Sequence, residues 1–478
     1  MNFALLDWLL LAFYLAGMVL IGIFFSGKQI STKEFFLGGR RFKSLAVSLS
    51  VLGTSLSAIT FLGVPGFVVQ RDWSTLFASL MGFPAALIVA WLFVPFFYNL
   101  RLTSMYDYLQ RRFDTRTAAL GGVLFLLLRG VLAGIAIFAP SLALCAVTGW
   151  NLTLCIVVSG LMTVIYTTLG GISAVIWTEI IQVVVLLAGA MLVLFKLTQQ
   201  LPGGVTDWVA QAAEASKFNL FDFRFSTVEL TFWGSVIGGL FYNVAFYGVD
   251  QVMVQRYLAS NSLRQARKSL FLQAAYLLPS ILVFFVVGTL LYLFVERYRS
   301  LFPETLTGDQ ILPYYIVRFL PVGLPGLLVA AIYAAAMSTL SGVLNSLATI
   351  SVNDFYKRFW KPNETESHYV RLSRRLTIAW GTLAILTALV VGHIDPSVWM
   401  QSIKAGGLLM GPMLGMFLLG MLTDRSTPAA AFWGCLVGVA ASLVAGLASA
   451  LQLFWLTLFG TSLTVIAGAV IWLATTGR

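Results

Sequence analysis

Apolar residues in this chain follow neither a strand alternation nor a single helical stripe. They come in long unbroken runs, separated by short clusters of charged and turn residues. A helix of roughly 20 apolar residues is what crosses a bilayer core, where every backbone polar group must be satisfied internally. Thirteen such runs are predicted, at roughly 3–25, 47–70, 75–98, 117–147, 152–170, 175–199, 230–253, 269–295, 310–350, 373–392, 398–422, 428–450 and 454–475. The run at 310–350 is too long for one simple span, so it is expected to begin with a surface segment before Pro321 and Pro325. Connections are short except at 200–229 and 353–372, which leaves one membrane domain and no soluble module.

Composition strengthens this picture. Of 478 residues, 59% are hydrophobic and only 10% charged, with a mean hydropathy of +0.90. A soluble domain carries roughly 25% charged residues, so this chain lacks the polar surface that water demands. Charge then sets direction. Lys28, Lys33, Arg40, Arg41 and Lys43 follow the first run, and Arg101, Arg111, Arg112 and Arg116 the third. Arg256, Arg264, Arg267 and Lys268 follow the seventh, and Lys357, Arg358, Lys361, Arg371, Arg374 and Arg375 the ninth. Arg425 follows the eleventh and Arg478 ends the chain. With thirteen crossings all of these fall on one side, the cytoplasmic side by the positive-inside rule. The expectation is a multi-pass protein of the cell (inner) membrane, amino terminus outside and carboxyl terminus in the cytoplasm. The net charge of +11 is thus a topology signal and calls for no nucleic-acid partner. No obligate protein partner is evident.

Enzyme chemistry finds little support. The two histidines, His368 and His393, stand near predicted helix ends, and Cys145, Cys155 and Cys435 lie within apolar runs at no metal-ligand spacing. No nucleophile elbow or phosphate loop is present. A channel would want a repeated pore-lining filter, and none is seen.

Three runs are abnormally polar. The second carries Ser48, Ser50, Gly53, Thr54, Ser55, Ser57 and Thr60, the seventh Gly238, Gly239, Asn243, Tyr247, Gly248 and Asp250, and the ninth Ser338, Thr339, Ser341, Asn345 and Ser346. Glycines and hydroxyls let a membrane helix unwind where protein surrounds it, and carbonyl and hydroxyl oxygens are hard ligands suited to a small cation. Close helix packing would also use small residues. The second and seventh runs each open a block of five spans, a spacing that fits two inverted repeats. The expected organisation is an extra helix at 3–25, a first repeat at 47–199, a second at 230–422, and C-terminal helices at 428–475.

At these same residues the chain resembles the sodium/solute symporter family, which includes sugar, iodide, monocarboxylate, multivitamin, proline and sialic-acid carriers. The resemblance runs over roughly 5–460 and rests on Glu34–Arg40 (EFFLGGR), Thr54–Thr60 (TSLSAIT), Ala174–Gln182 (AVIWTEIIQ), Tyr247–Arg256 (YGVDQVMVQR) and Ala334–Ser346 (AAAMSTLSGVLNS). Ile137–Leu144 (IFAPSLAL) and Tyr247–Arg256 look most like the iodide, monocarboxylate and multivitamin branch. The resemblance implies an all-α LeuT-like fold with an extra N-terminal helix and sodium-coupled import of a small organic solute. It also implies a sodium site formed by the carbonyls of Gly53, Leu56 and Ala335 and the hydroxyls of Ser338 and Thr339. Some relatives hold a second sodium; here Glu179, Ser338 and Ser341 match that site, while Gly342 replaces a hydroxyl.

By the same resemblance the solute would meet Ser55, Ser57, Thr60, Ser79, Asn243, Phe246, Tyr247 and Gln401. Arg129 and Lys404 lie inside spans, where a charge costs roughly 2.5–3.5 kcal/mol on insertion scales. An anionic solute would offset them. The rival readings are pairing of Arg129 with Asp250 or Glu179, and snorkelling of Lys404 to the interface. Leu132 stands where sialic-acid carriers hold the substrate carboxylate with an arginine. A small organic anion is the expected solute, such as a monocarboxylate or sialic acid, and a sugar is the alternative.

Overall fold

The computed structural model of the chain describes residues 3–26, 31–102, 104–304, 306, 308–391, 398–448 and 451–476. Lys28, His393 and Arg478 lie outside the described residues. The described residues form helices and connecting segments, with one isolated backbone bridge between Phe42 and Ser260.

The helices in chain order are α1 (Leu5–Ser26), α2 (Thr32–Leu37), α3 (Ser44–Ser55), α4 (Ala58–Gln70), α5 (Leu76–Leu80), α6 (Gly82–Asn99) and α7 (Tyr106–Arg112). There follow α8 (Thr115–Thr148), α9 (Leu152–Gln200), α10 (Val205–Glu214), α11 (Gly239–Gly248), α12 (Gln251–Leu258) and α13 (Leu263–Arg297). The remainder are α14 (Gly308–Phe319), α15 (Leu324–Ile350), α16 (Glu366–Val391), α17 (Val398–Met421), α18 (Pro428–Leu447) and α19 (Leu453–Thr476).

Among the described residues, ten helices are long and apolar enough to cross a membrane, and the bent pair α3–α4 makes eleven. The predicted spans 152–170 and 230–253 account for the difference. Leu152–Ile165 is a shorter apolar helix, and the 230–253 segment is broken after Gly248 into α11 and α12. The predicted fifth and sixth spans are joined in one helical run, α9, which turns sharply at Gly171 (φ 56°), a left-handed position that glycine takes without strain.

Two connections differ from expectation. The segment before Pro321 is the helix α14, whose Ile311, Leu312, Tyr315 and Ile316 are buried and which packs on α4 and α8. It is a packed element, because its apolar face finds a partner. The 353–372 linker is largely helical, since a wide-turn helix over Ser351–Trp360 continues α15.

Burial ranks the helices. In α1 22% of the most apolar window is buried inside the protein, against 94% in the α15 segment. A helix with that little internal contact is left to face lipid, whereas α15 is surrounded by α1, α3, α4, α8, α9 and α16. The polar side chains of α15, including Ser338, Ser341, Asn345 and Ser346, are therefore turned toward protein.

Candidate ion and substrate site

The break in the second span follows from local sequence. At Leu56 the backbone leaves the helical region (φ −95°, ψ 91°), and Ser57 restarts the helix by accepting a hydrogen bond from Ile59 N at 3.2 Å. A serine hydroxyl at an N-cap satisfies one orphan amide. The two halves meet at 49°. Against this bend lies α15, where Ser338 Oγ donates to the carbonyls of Gly53 and Ala335, both at 2.9 Å. Thr339 Oγ1 donates to Ala335 O at 3.4 Å. Gly53, Ala335, Ser338 and Thr339 thus come together, with Leu56 at the bend beside them. The donor set consists of uncharged, hard oxygens, the chemistry an alkali cation favours. Among the described residues, no group of three His, Cys, Asp or Glu side chains is placed to hold a metal ion.

A cavity of about 160 Å³ opens beside this point. Of the residues expected to meet the solute, Ser55, Ser57, Thr60, Ser79, Arg129, Asn243, Phe246 and Tyr247 line it, as do Leu56 and Thr339. Gln401 and Lys404 do not; Ser402 and Ile403 take that part of the wall. Lys404 is half-buried off the cavity. Tyr242, Met410 and Phe454 also line it. Sequence reasoning missed Met410 and Phe454, which carry no polar signal. Asn243 is fixed by donating to Ala78 O (3.0 Å) and Gly239 O (2.8 Å), and Gln273 Nε2 donates to the Tyr247 hydroxyl at 3.0 Å. The Phe246 and Tyr247 rings meet edge to face, 5.2 Å apart.

Two buried ion pairs, Arg129 with Asp250 and Arg256 with Glu179, lie within the bundle. Arg129 forms a buried ion pair with Asp250, and its guanidinium lies 5.6 Å from the Phe246 ring centre. Asp250 also caps α12, accepting from Val252 N at 2.9 Å, so one carboxylate serves both the broken helix and the arginine. Arg129 Nε is buried with no hydrogen-bond partner among the described residues. Of the rival readings for Arg129, pairing with Asp250 is the one realised, and the residue still forms part of the cavity wall.

Glu179 is engaged elsewhere. Arg256 grips it in a fully buried ion pair whose second contact, from Nε, is 3.2 Å, while Ser50 donates to it and Thr54 Oγ1 donates at 3.1 Å. Gly342 makes this possible, since a methyl group there would collide with Arg256 Nη2. Ser341 Oγ is turned back to Ser338 O at 3.2 Å. Nearby, Gln255 Nε2 donates to Phe36 O (2.7 Å) and Asn345 Oδ1 (2.9 Å), joining α12 to α2 and α15. At the other end of α4, Lys217 Nζ donates to the carbonyls of Val68, Val69 and Arg71 at 3.2, 2.9 and 2.7 Å and sits 3.9 Å from the Tyr292 ring centre. Burial pushes this ammonium below the usual lysine range, against the opposing pull of Asp72 and Glu296. No sequence signal marks Lys217, which lies in a connection.

A bundle of apolar helices, broken beside a buried polar cavity and an oxygen-lined pocket, defines a multi-pass membrane transporter rather than a soluble fold. The chain belongs to the sodium:solute symporter family, whose model matches residues 35–438. It is 32% identical to the sodium/sialic acid symporter SiaT of Proteus mirabilis over 98% of this chain and 95% of that one. It is 33% identical to human sodium-coupled monocarboxylate transporter 1 over 93% of this chain and 74% of that protein. A solved structure of a sodium-coupled sialic acid symporter, substrate-bound and outward-open with a novel sodium site, superposes with a TM-score of 0.92 at 31% identity, covering 98% of both chains. The LeuT-like fold is therefore shown, and sodium is the coupling ion of the family. The identities to the sialic-acid and monocarboxylate carriers are nearly equal.

Proposed function

We propose that this protein imports a small organic anion together with one sodium ion. The observation that carries the anion is Arg129: a buried guanidinium on the cavity wall, with Nε lacking a hydrogen-bond partner among the described residues. An unpaired donor of that kind is costly unless a ligand completes it, and a carboxylate does so best. The relatives that carry sialic acid and monocarboxylates support the same chemistry. Against it stands the pairing with Asp250, which makes the two side chains together nearly neutral and suits a neutral polyol hydrogen-bonded by Ser55, Ser79 and Asn243. A sugar is thus the second reading.

The sodium ion is held by the carbonyls of Gly53, Leu56 and Ala335 and the hydroxyls of Ser338 and Thr339. Glu179 and Ser341 do not form a second site in this reading, because the Arg256 guanidinium already supplies the cation that Glu179 needs. The solute contacts Ser55, Ser57, Thr60, Ser79, Asn243, Phe246 and Tyr247; Gln401 and Lys404 are not among its contacts. The helices at 47–199 and 230–422 act as two inverted repeats, and the basic connections face the cytoplasm of a cell membrane. The amino terminus is then outside and the carboxyl terminus inside.

The test is uptake by reconstituted protein of lactate, nicotinate, sialate and glucose, with Arg129→Gln compared on nicotinate and nicotinamide. Sodium-dependent uptake of an acid is expected, with the substitution harming the acid more than its amide. Equal losses, or transport of glucose and none of the acids, would favour the sugar reading.

A further inference from the structure

Away from the cavity, α6 and α13 leave between them a groove of about 740 Å³. Its wall on α13 runs from Leu263 to Leu272 and is dominated by the stripe Arg264, Arg267, Lys268 and Phe271, with the spacing that places side chains on one helical face. The opposite face of the same turns is used for packing, with Ala266, Ser269 and Leu270 buried. On α6 the groove presents Trp91, which is 63% exposed, and Arg267 lies over its ring at 4.8 Å. The Trp91 and Phe271 rings meet edge to face 6.3 Å apart. Among the described residues, none of the three cations has a carboxylate partner, and Arg267 Nε is buried without a hydrogen bond.

This arrangement is unfavourable as it stands. Three cations crowd the first turns of α13, where the helix dipole already places positive charge, and they repel one another. The exposed Trp91 ring under Arg267 is of the kind found at the headgroup boundary of a membrane helix. A ligand that relieves all of this carries a phosphate at the cations and apolar chains along Trp91, Phe271 and Leu272.

We propose that this groove binds an anionic phospholipid, its phosphodiester held by Arg264, Arg267 and Lys268 and its acyl chains lying over Trp91 and Phe271. Basic pockets between membrane helices on the cytoplasmic side are suited to such headgroups. The proposed topology decides only which leaflet supplies the lipid. Charge complementarity favours an anionic lipid over a zwitterionic one, since the groove offers no acid to meet a choline group.

Native mass spectrometry of the whole protein tests this, after equilibration with phosphatidylcholine and phosphatidylglycerol mixtures. Wild type should retain phosphatidylglycerol selectively. Neutralising each cation to glutamine should lower that retention roughly five-fold, so the variant R264Q/R267Q/K268Q should retain neither lipid preferentially. Its melting temperature in phosphatidylcholine alone checks that it is folded, and if it is not, the exposed single change Lys268→Gln should still show the five-fold loss. Retention unaltered in the folded variants would overturn the proposal. So would an equal rise in the melting temperature of wild type with inorganic phosphate as with phosphatidylglycerol, which would show an anion site indifferent to lipid.

Discussion

The second and seventh spans are both interrupted, yet their breaks are filled by opposite chemistry. At Leu56 the gap is bounded by uncharged oxygens and restarted by a serine hydroxyl. At Val249–Asp250 the restart is a carboxylate, and a buried arginine from α8 is bound to it. A gap whose turn is bounded by neutral carbonyl and hydroxyl oxygens suits a cation that must come and go, since the one nearby carboxylate, Glu179, is already bound to Arg256. A gap closed by an ion pair is self-sufficient, and leaves the arginine's remaining edge for something else. The Glu179–Arg256 pair extends the second pattern: Arg256 belongs to α12, so the half-helix after the second break carries a fixed cation next to a carboxylate from α9.

Removing that fixed cation should have the largest effect. Arg256→Gln leaves Glu179 buried and uncompensated, a loss expected at about 3–5 kcal/mol. Chemical or thermal unfolding in detergent would measure it, and adding Glu179→Gln should restore most of the loss. If the double variant is as unstable as the single one, the pair is not what holds these helices together. Next comes the neutral break. Thr339→Ala should raise the sodium concentration for half-maximal uptake roughly ten-fold or more, as expected for losing one ligand to a charged group at about 1.5–3 kcal/mol. An unchanged sodium dependence would remove Thr339 from the ion site. The smallest effect tests the caps: Ser57→Ala should cost about 1 kcal/mol as a lost N-cap. Asp250→Asn keeps a cap but strands Arg129, and should cost more by the same unfolding measurement. Equal costs would mean the two breaks are not distinguished by charge.

The fold was largely legible in the sequence because hydrocarbon imposes a length on apolar runs, and a hydroxyl-rich stretch inside such a run stands out against it. Ser338 and Thr339 stood out for that reason, and Gly53, which the resemblance grouped with them, does face Ser338. Elsewhere periodicity was too coarse. Ser402 lines the cavity and the adjacent Gln401 does not, since one residue turns a helix by about 100°. Pairings across the bundle were hidden as well. Asp250 could be suggested for Arg129 because both are rare intramembrane charges. Arg256, by contrast, read as one of the positive residues marking the cytoplasmic side, and only the packed structure places it on Glu179. Gly342 looked like the loss of a hydroxyl, whereas in three dimensions it makes space for a guanidinium.

Sodium binding at the neutral break, and not at the charged pairs, is the claim on which the rest depends. Binding of radiolabelled sodium to the purified protein, counted per chain without any solute, tests it most directly. One ion per chain is predicted, lost in Ser338→Ala combined with Thr339→Ala and retained in Ser341→Ala. Two ions per chain, or one that survives the double substitution and disappears with Ser341→Ala, would contradict it.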